Sequence, residues 1–175
     1  MTNRSMKTAG WPEFSAAEPA LAAWAERRFG AYRHHVLATL RADGSPRLAG
    51  LEADFRHGEL WLGMMPGSRK ALDLRRDPRF ALHANPGADP GAGDGMADGD
   101  VRVAGRAVEV TEADALARYA DGAGTPLPFH LFRAELTEVV RTYVEDPHIV
   151  LVTWRPGRPV RTVRRGNDDA PPTVD

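Results

Sequence analysis

Apolar residues at Leu21, Trp24, Ala25, Phe29 and Tyr32 recur at the spacing of one helix face. Ser15 with Glu18 three residues on has the form of a capping box, so the pattern predicts a helix over residues 16–30. From His35 the period shortens to that of strands. His35 to Arg41 is an apolar run closed by the turn signal Asp43-Gly44-Ser45-Pro46, and Arg47 to Phe55 follows with Ala49, Leu51, Ala53 and Phe55 in one phase. The two runs read as a hairpin. A turn at Arg56-His57-Gly58-Glu59 leads to a third strand, in which Leu60, Leu62 and Met64 alternate with Trp61, Gly63 and Met65.

Pro66-Gly67-Ser68 then opens a short helix with Ala71, Leu72 and Leu74 inward, and the helix stops at Asp77-Pro78 because proline disfavours helix in the residue before it. Arg79 to Ala84 is a fourth strand, and Asn85 to Gly99, rich in Gly, Pro and Asp, reads as a mobile surface loop. Asp100 to Val110 is a fifth strand. Its valines sit at odd positions 101 and 103, then at even positions 108 and 110, and Gly105 between the two phases predicts a bulge. Thr111 to Asp121 suits a helix with Ala113, Leu116, Ala117 and Ala120 on one side. Phe132 to Val144 alternates cleanly, whereas His148 to Trp154 is apolar on both faces, as a strand is when a second subunit covers it.

About six strands, three helices and no βαβ rhythm predict a mainly β fold, a barrel with peripheral helices. With 42% hydrophobic residues, 175 residues suit one domain, expected over 15–165, with disordered tails at 1–14 and 166–175. The net charge of -1 supplies no global field toward nucleic acid or membrane, so neither is expected as a partner. Absence of cysteine removes disulfides, thiolate metal sites and cysteine nucleophiles. Met1 to Pro12 lack the apolar run of a signal peptide, and no stretch reaches the ~18 apolar residues of a membrane span. A cytoplasmic protein is expected.

The chemistry concentrates at Gly67-Ser68-Arg69-Lys70-Ala71-Leu72. Ser68 is a good N-cap, but two cations in the first turn oppose the helix dipole, and an anion there would resolve the conflict. Free backbone N–H groups, a hydroxyl, a guanidinium and an ammonium converging on one point make a phosphate site; a plain cap with solvated cations is the other reading. Arg47 starts its strand in phase with Ala49 and Leu51, on the core-facing side, where a phosphate would pair it unless it snorkels out at the rim. His83 on the fourth strand is a candidate contact for a cofactor or substrate. No metal site is expected: His34 and His35 point to opposite faces of a strand, and Asp94, Asp98 and Asp100 fail the calcium-loop pattern at Met96 and Gly105. The run Arg155, Arg158, Arg161, Arg164 and Arg165 reads as a solvated basic end.

The order Ser45-Pro46-Arg47, Gly63-Met64, Gly67-Ser68-Arg69-Lys70-Ala71-Leu72 and Asp77-Pro78-Arg79 resembles the flavin-binding core of the pyridoxamine 5'-phosphate oxidase-like split-barrel family. Val101-Arg102-Val103-Ala104-Gly105-Arg106-Ala107 is similar to that family's strand with a central glycine. The resemblance spans His35 to Val110, with weaker support through Trp154. It implies a split β-barrel in which Arg47, Ser68, Arg69 and Lys70 hold the phosphate of FMN. It further implies that Leu48, Ala49, Leu51, Gly63 and Met64 line the ring, in a homodimer whose partner contributes from near Asp100 and Trp154. The implied activity is hydride transfer to or from a small organic substrate, with no catalytic residue assigned. Where the oxidases proper carry a glutamine this chain has Asp100, and it lacks their C-terminal Arg-x-His, so vitamin B6 oxidation is not expected. Deazaflavin or haem, which related branches bind, stand as alternatives, as does a non-catalytic carrier of such a group.

Overall fold

The computed structural model describes residues 7–87, 99–124 and 128–175, and residues 88–98 of the expected Asn85 to Gly99 loop lie outside the described residues. The chain begins with two helices, α1 (Trp11–Ala17) and α2 (Pro19–Gly30). The predicted single helix is thus two. Pro19 has no N–H with which to continue a helix, so the backbone breaks at Glu18 and Pro19 restarts it at a first position, where proline is preorganised. Ser15 lies inside α1; the cap is Gly10, whose N–H donates to the Glu13 side chain at 2.8 Å.

Residues 7–14, expected to be tail, are tied down. Ala9 exchanges backbone hydrogen bonds with Leu136 at 3.0 and 2.8 Å, and Trp11 and Phe14 are buried in the core. Their rings pack edge to face at 5.1 Å, and Trp11 donates its indole N–H to Glu26 at 2.6 Å, which locks α1 onto α2.

Four strands follow, β1 (His35–Leu40), β2 (Pro46–Leu51), β3 (Ala53–Arg56) and β4 (Glu59–Met64), then α3 (Arg69–Arg76) and β5 (Arg79–His83). What the sequence presents as one strand, Arg47 to Phe55, is β2 and β3, separated at Glu52: β2 pairs with β1, and β3 pairs with β4. Phase alone could not show this, because the apolar parity runs through the break. The chain continues through β6 (Asp100–Val110), α4 (Ala113–Ala123), β7 (His130–Glu145), β8 (His148–Trp154), β9 (Arg161–Arg165) and β10 (Thr173–Val174). Ten strands and four helices therefore stand among the described residues, against about six and three expected. The predicted C-terminal tail ends in β10, paired with β9 through Thr173↔Arg164 and Val174↔Val163.

The strands form one antiparallel sheet in the order β10-β9-β8-β7-β6-β5-β1-β2. The long strand β7 is its spine: β6 runs along one side, while β4 and then β8 share the other. Since β2 continues into β3, β3 pairs with β4 and β4 pairs with β7, the sheet curls back on itself. No ladder joins β2 to β4, so the barrel is split rather than closed. Side chains from both helices and the inner faces fill it, with Trp11, Phe14, Leu37, Leu60, Leu62, Val101, Val103, Phe132 and Leu136 fully buried.

The bulge is where Gly105 predicted it, but the extra residue is on the other strand. Ala104 pairs with Glu138 and Gly105 with Leu136, so Thr137 is the residue left over in β7. In consequence β6 keeps its phase: Val101, Val103, Gly105 and Ala107 all face inward, while Val108 is exposed. The backbones close in so tightly here that a Cβ on Gly105 would lie 2.0 Å from the Glu135 carbonyl oxygen.

Candidate functional site

After β4 the chain turns through Met65-Pro66-Gly67, with Gly67 at φ +67, and Ser68 caps α3 by accepting from the Ala71 N–H at 3.4 Å. No acidic residue lies in the first turn. The inward face of the helix carries Ala71, Asp73 and Leu74; Leu72, expected inside, is exposed. Asp73 is one residue that sequence reasoning missed. Its Oδ2 accepts from Thr39 Oγ1 on β1 at 2.9 Å and from Arg47 Nε on β2 at 2.6 Å, and its Oδ1 accepts from Arg76 at 3.2 Å. Burial pushes this carboxyl upward, but the bonds from Arg47, Thr39 and Arg76 together outweigh it and hold the group below its ordinary range.

Arg47 therefore does point inward, and the anion that meets its Nε is built into the fold. One residue before the buried face of α3, Lys70 reaches over β2 and donates from Nζ to the Gly50 carbonyl at 2.8 Å. Arg69 is exposed and has no hydrogen-bond or ion-pair partner among the described residues. The first turn of α3 thus offers Ser68, Arg69 and Lys70 beside Arg47, at the edge where β2 and β4 part.

That parting is a cleft of about 600 Å³. Gly50, Leu51 and Glu52 line it from the end of β2, Gly63, Met64 and Met65 from the end of β4, and Lys70, Tyr119 and Phe129 close it, with His34 at its border. Leu51, Gly63, Met64 and Lys70 among the expected residues meet here. A Cβ on Gly50 would touch nothing within 4 Å, and one on Gly63 would meet only the Tyr119 hydroxyl at 3.5 Å, so both glycines leave the walls flat and open.

Other expected residues stand elsewhere. Ala49 shares the inner face of β2 with Arg47, whereas Leu48 is 71% exposed on the outer face. His83 and Asp100, at the far ends of β5 and β6, face each other with Nε2 and Oδ2 at 3.6 Å; that carboxylate, with the Ala84 carbonyl at 2.6 Å from Nδ1, pushes the imidazole upward against burial. Neither lines the cleft. Trp154 is 3% exposed and packs on Phe14 with ring centroids 4.6 Å apart, so within its own chain it is a core residue and not a stacking surface.

Tyr119 is a cleft residue absent from the sequence expectations. It takes the buried place on α4 that Ala117 was expected to hold; Ala117 is exposed. The Tyr119 hydroxyl donates to Asp54 Oδ2 at 3.4 Å, its ring packs on Trp61 and Phe129 at 5.9 and 5.7 Å, and burial pushes its pKa up to about 12. The hydroxyl is thus a proton donor at any physiological pH. Spacing could have found it, since Tyr119 follows Leu116 by three residues.

Below the turn, Gly67 donates its N–H to His130 Nε2 at 3.1 Å, and His130 Nδ1 lies 3.2 Å from Glu109 Oε1. Glu109 is gripped by Arg75 through contacts of 2.7, 2.8 and 3.0 Å, and this fork, ahead of the opposing effect of burial, holds the carboxylate below its ordinary range.

The split barrel is the architecture that the comparisons share. The family model for pyridoxamine 5'-phosphate oxidase matches residues 25–143, and the chain belongs to that family. No curated protein matches it in sequence. Among solved structures it is similar to PhzG from Burkholderia lata 383 in complex with tetrahydrophenazine-1-carboxylic acid, at 15% identity and a TM-score of 0.56 over 88% of this chain and 92% of that one. The haem storage protein HutZ from Vibrio cholerae is similar at 18% identity and a TM-score of 0.50, over 68% and 89%. A haem-binding protein from Mycobacterium smegmatis is similar at 18% identity and a TM-score of 0.54, over 76% and 57%. At these identities the likeness is one of fold. No helix among the described residues is long and apolar enough to cross a membrane.

Proposed function

We propose that the chain is an FMN-binding oxidoreductase that passes a hydride to or from a small organic molecule. The observation that carries this reading is the continuity of two features: the anion-ready start of α3 opens directly onto a flat-walled, largely apolar cleft, with Lys70 common to both. A ligand with a phosphate at one end and a planar ring at the other fits that sequence of surfaces. FMN, when bound, would supply the hydride chemistry. The chain's own residues then do the rest. Ser68, Arg69 and Lys70 would hold the phosphate, Arg47 would add its guanidinium from beside Asp73, and Leu51, Gly63 and Met64 would flank the ring. Tyr119 keeps its proton, which it gives to Asp54, and its hydroxyl oxygen can accept a hydrogen bond inside the cleft. His34 at the cleft border favours haem as the second reading, and a deazaflavin would present the same phosphate to α3.

We further read the working state as a homodimer. Val36 and Leu48 on the outer face of β1 and β2, and Ile149 on β8, are large apolar residues left exposed, and a second copy would cover them. The test is the absorption spectrum of the purified protein, mass spectrometry of any small molecule released on denaturation, and a titration with added FMN. Released or bound FMN supports the reading; a protein that neither carries nor binds it overturns it. Sedimentation equilibrium decides the dimer.

A further inference from the structure

The Gly67 N–H can donate to His130 Nε2 only while that nitrogen carries no proton, so the ring is neutral with its hydrogen on Nδ1, directed at Glu109 Oε1. Glu109 is in turn held by Arg75 in the last turn of α3. One chain of contacts therefore runs from the residue before Ser68, through β7 and β6, to the far end of the helix whose start forms the anion site. We propose that His130 is a positioning residue for that site, setting the Gly67–Ser68 turn through its neutral ring, so that anion binding is coupled to the His130 proton. The inference rests on reading the start of α3 as the place where a phosphate binds.

The charged groups facing the ring are Glu109 from β6 and, behind it, Arg75 from α3; Met64, its cross-strand neighbour on β4, carries no charge. Glu109 accepts from Nδ1 in either protonation state. The Gly67 bond is different. An imidazolium presents an N–H at Nε2, and two donors cannot bond, so protonation frees a turn whose glycine holds a left-handed conformation. A freed turn must be ordered again when an anion binds, so affinity falls on acidification. An imidazolium that itself ligated the anion would give the opposite slope.

The experiment compares wild type with His130→Gln and His130→Ala, using FMN and, separately, sulfate, whose charge is constant over the range read. Gln places an acceptor near the position of Nε2 and does not titrate. His130→Gln is expected to bind both probes within about threefold of wild type at neutral pH, and His130→Ala about tenfold more weakly, as one lost hydrogen bond would give. As the pH is lowered, wild-type affinity falls relative to His130→Gln, and the Gly67 amide resonance of wild type moves together with the His130 ring resonances. Affinity that rises on acidification, identical pH curves for wild type and His130→Gln, or a Gly67 amide indifferent to the ring would each overturn the proposal. If sulfate shows the coupling and FMN does not bind, the flavin reading fails and the role of His130 stands.

Discussion

Arg47 and Asp73 meet at 2.6 Å, guanidinium Nε to carboxylate Oδ2, across the seam between β2 and α3, with side chains 25% and 6% exposed. The pair fixes the helix against the sheet at the point where a ligand would dock, and it depends on ionisation of the carboxylate. Asp73→Ala leaves Arg47 and Thr39 facing a void and should destabilise the fold by about 2–4 kcal/mol in urea unfolding. Because the folded carboxyl is held below its ordinary value of 3.8, its stabilisation is present above that pH and is lost as pH falls through the lowered value. Asp73→Asn should therefore show a shallower loss of stability than wild type below about pH 4, measured by urea midpoints at several pH values.

Gly105→Ala should be among the most damaging small changes in the molecule. The added methyl carbon would sit 2.0 Å from a backbone oxygen of β7, which no rotamer change can relieve. A loss of about 3 kcal/mol or more is expected, read as a lower melting temperature or as loss of soluble protein.

At the start of α3 the expectation is the reverse: binding changes and stability does not. Arg69→Ala and Lys70→Ala should each weaken FMN binding about tenfold to a hundredfold, as loss of one charge-assisted hydrogen bond implies. Arg69 is exposed and Lys70 gives up only its contact with the Gly50 carbonyl, so unfolding midpoints should move by no more than about 0.5 kcal/mol. Fluorescence quenching of added FMN and thermal melts in parallel separate the two effects.

Tyr119 should ionise late. Its raised pKa, about 12 against an ordinary 10.0, means that its environment favours the neutral form. The associated stability is intact below pH 10.0 and is lost as pH climbs through about 12. An alkaline ultraviolet titration should show a late step that Tyr119→Phe removes.

Much of this architecture is legible in the chain. The β8 limits follow from a continuous apolar run and the helix start at Ser68 from capping, both local; the bulge at Gly105 stands where the sequence put it, although β6 does not change phase there. What stayed hidden depends on partners distant in sequence. Trp11 and Phe14, set among polar neighbours, look like tail until α2 and Phe55 are there to receive them. The basic run ending at Arg165 looks like a solvated end; it contains the strand β9, whose Arg164 pairs with Glu145 and Asp175, beside Arg155 on Glu138. Similarly, the inward phase of Arg47 was readable and Asp73 was not, because α3 joins the two only in three dimensions. The cleft was half visible: strand glycines and Lys70 marked two walls, and the third comes from α4 and the residues leading into β7.

The anchoring of α3 has a practical consequence. With His130 below its first turn, Asp73 under its middle and Arg75 bound to β6 at its end, the helix has little freedom to swing. A molecule docking at its start would then be registered as resistance to heat rather than as a visible rearrangement. A compound at a hundredfold excess over its dissociation constant adds about 2.7 kcal/mol to the stability of the domain. A melting-curve screen of flavins, deazaflavins, porphyrins and small phosphates would make the protein its own reporter, and would rank candidate ligands before any reaction has been assigned.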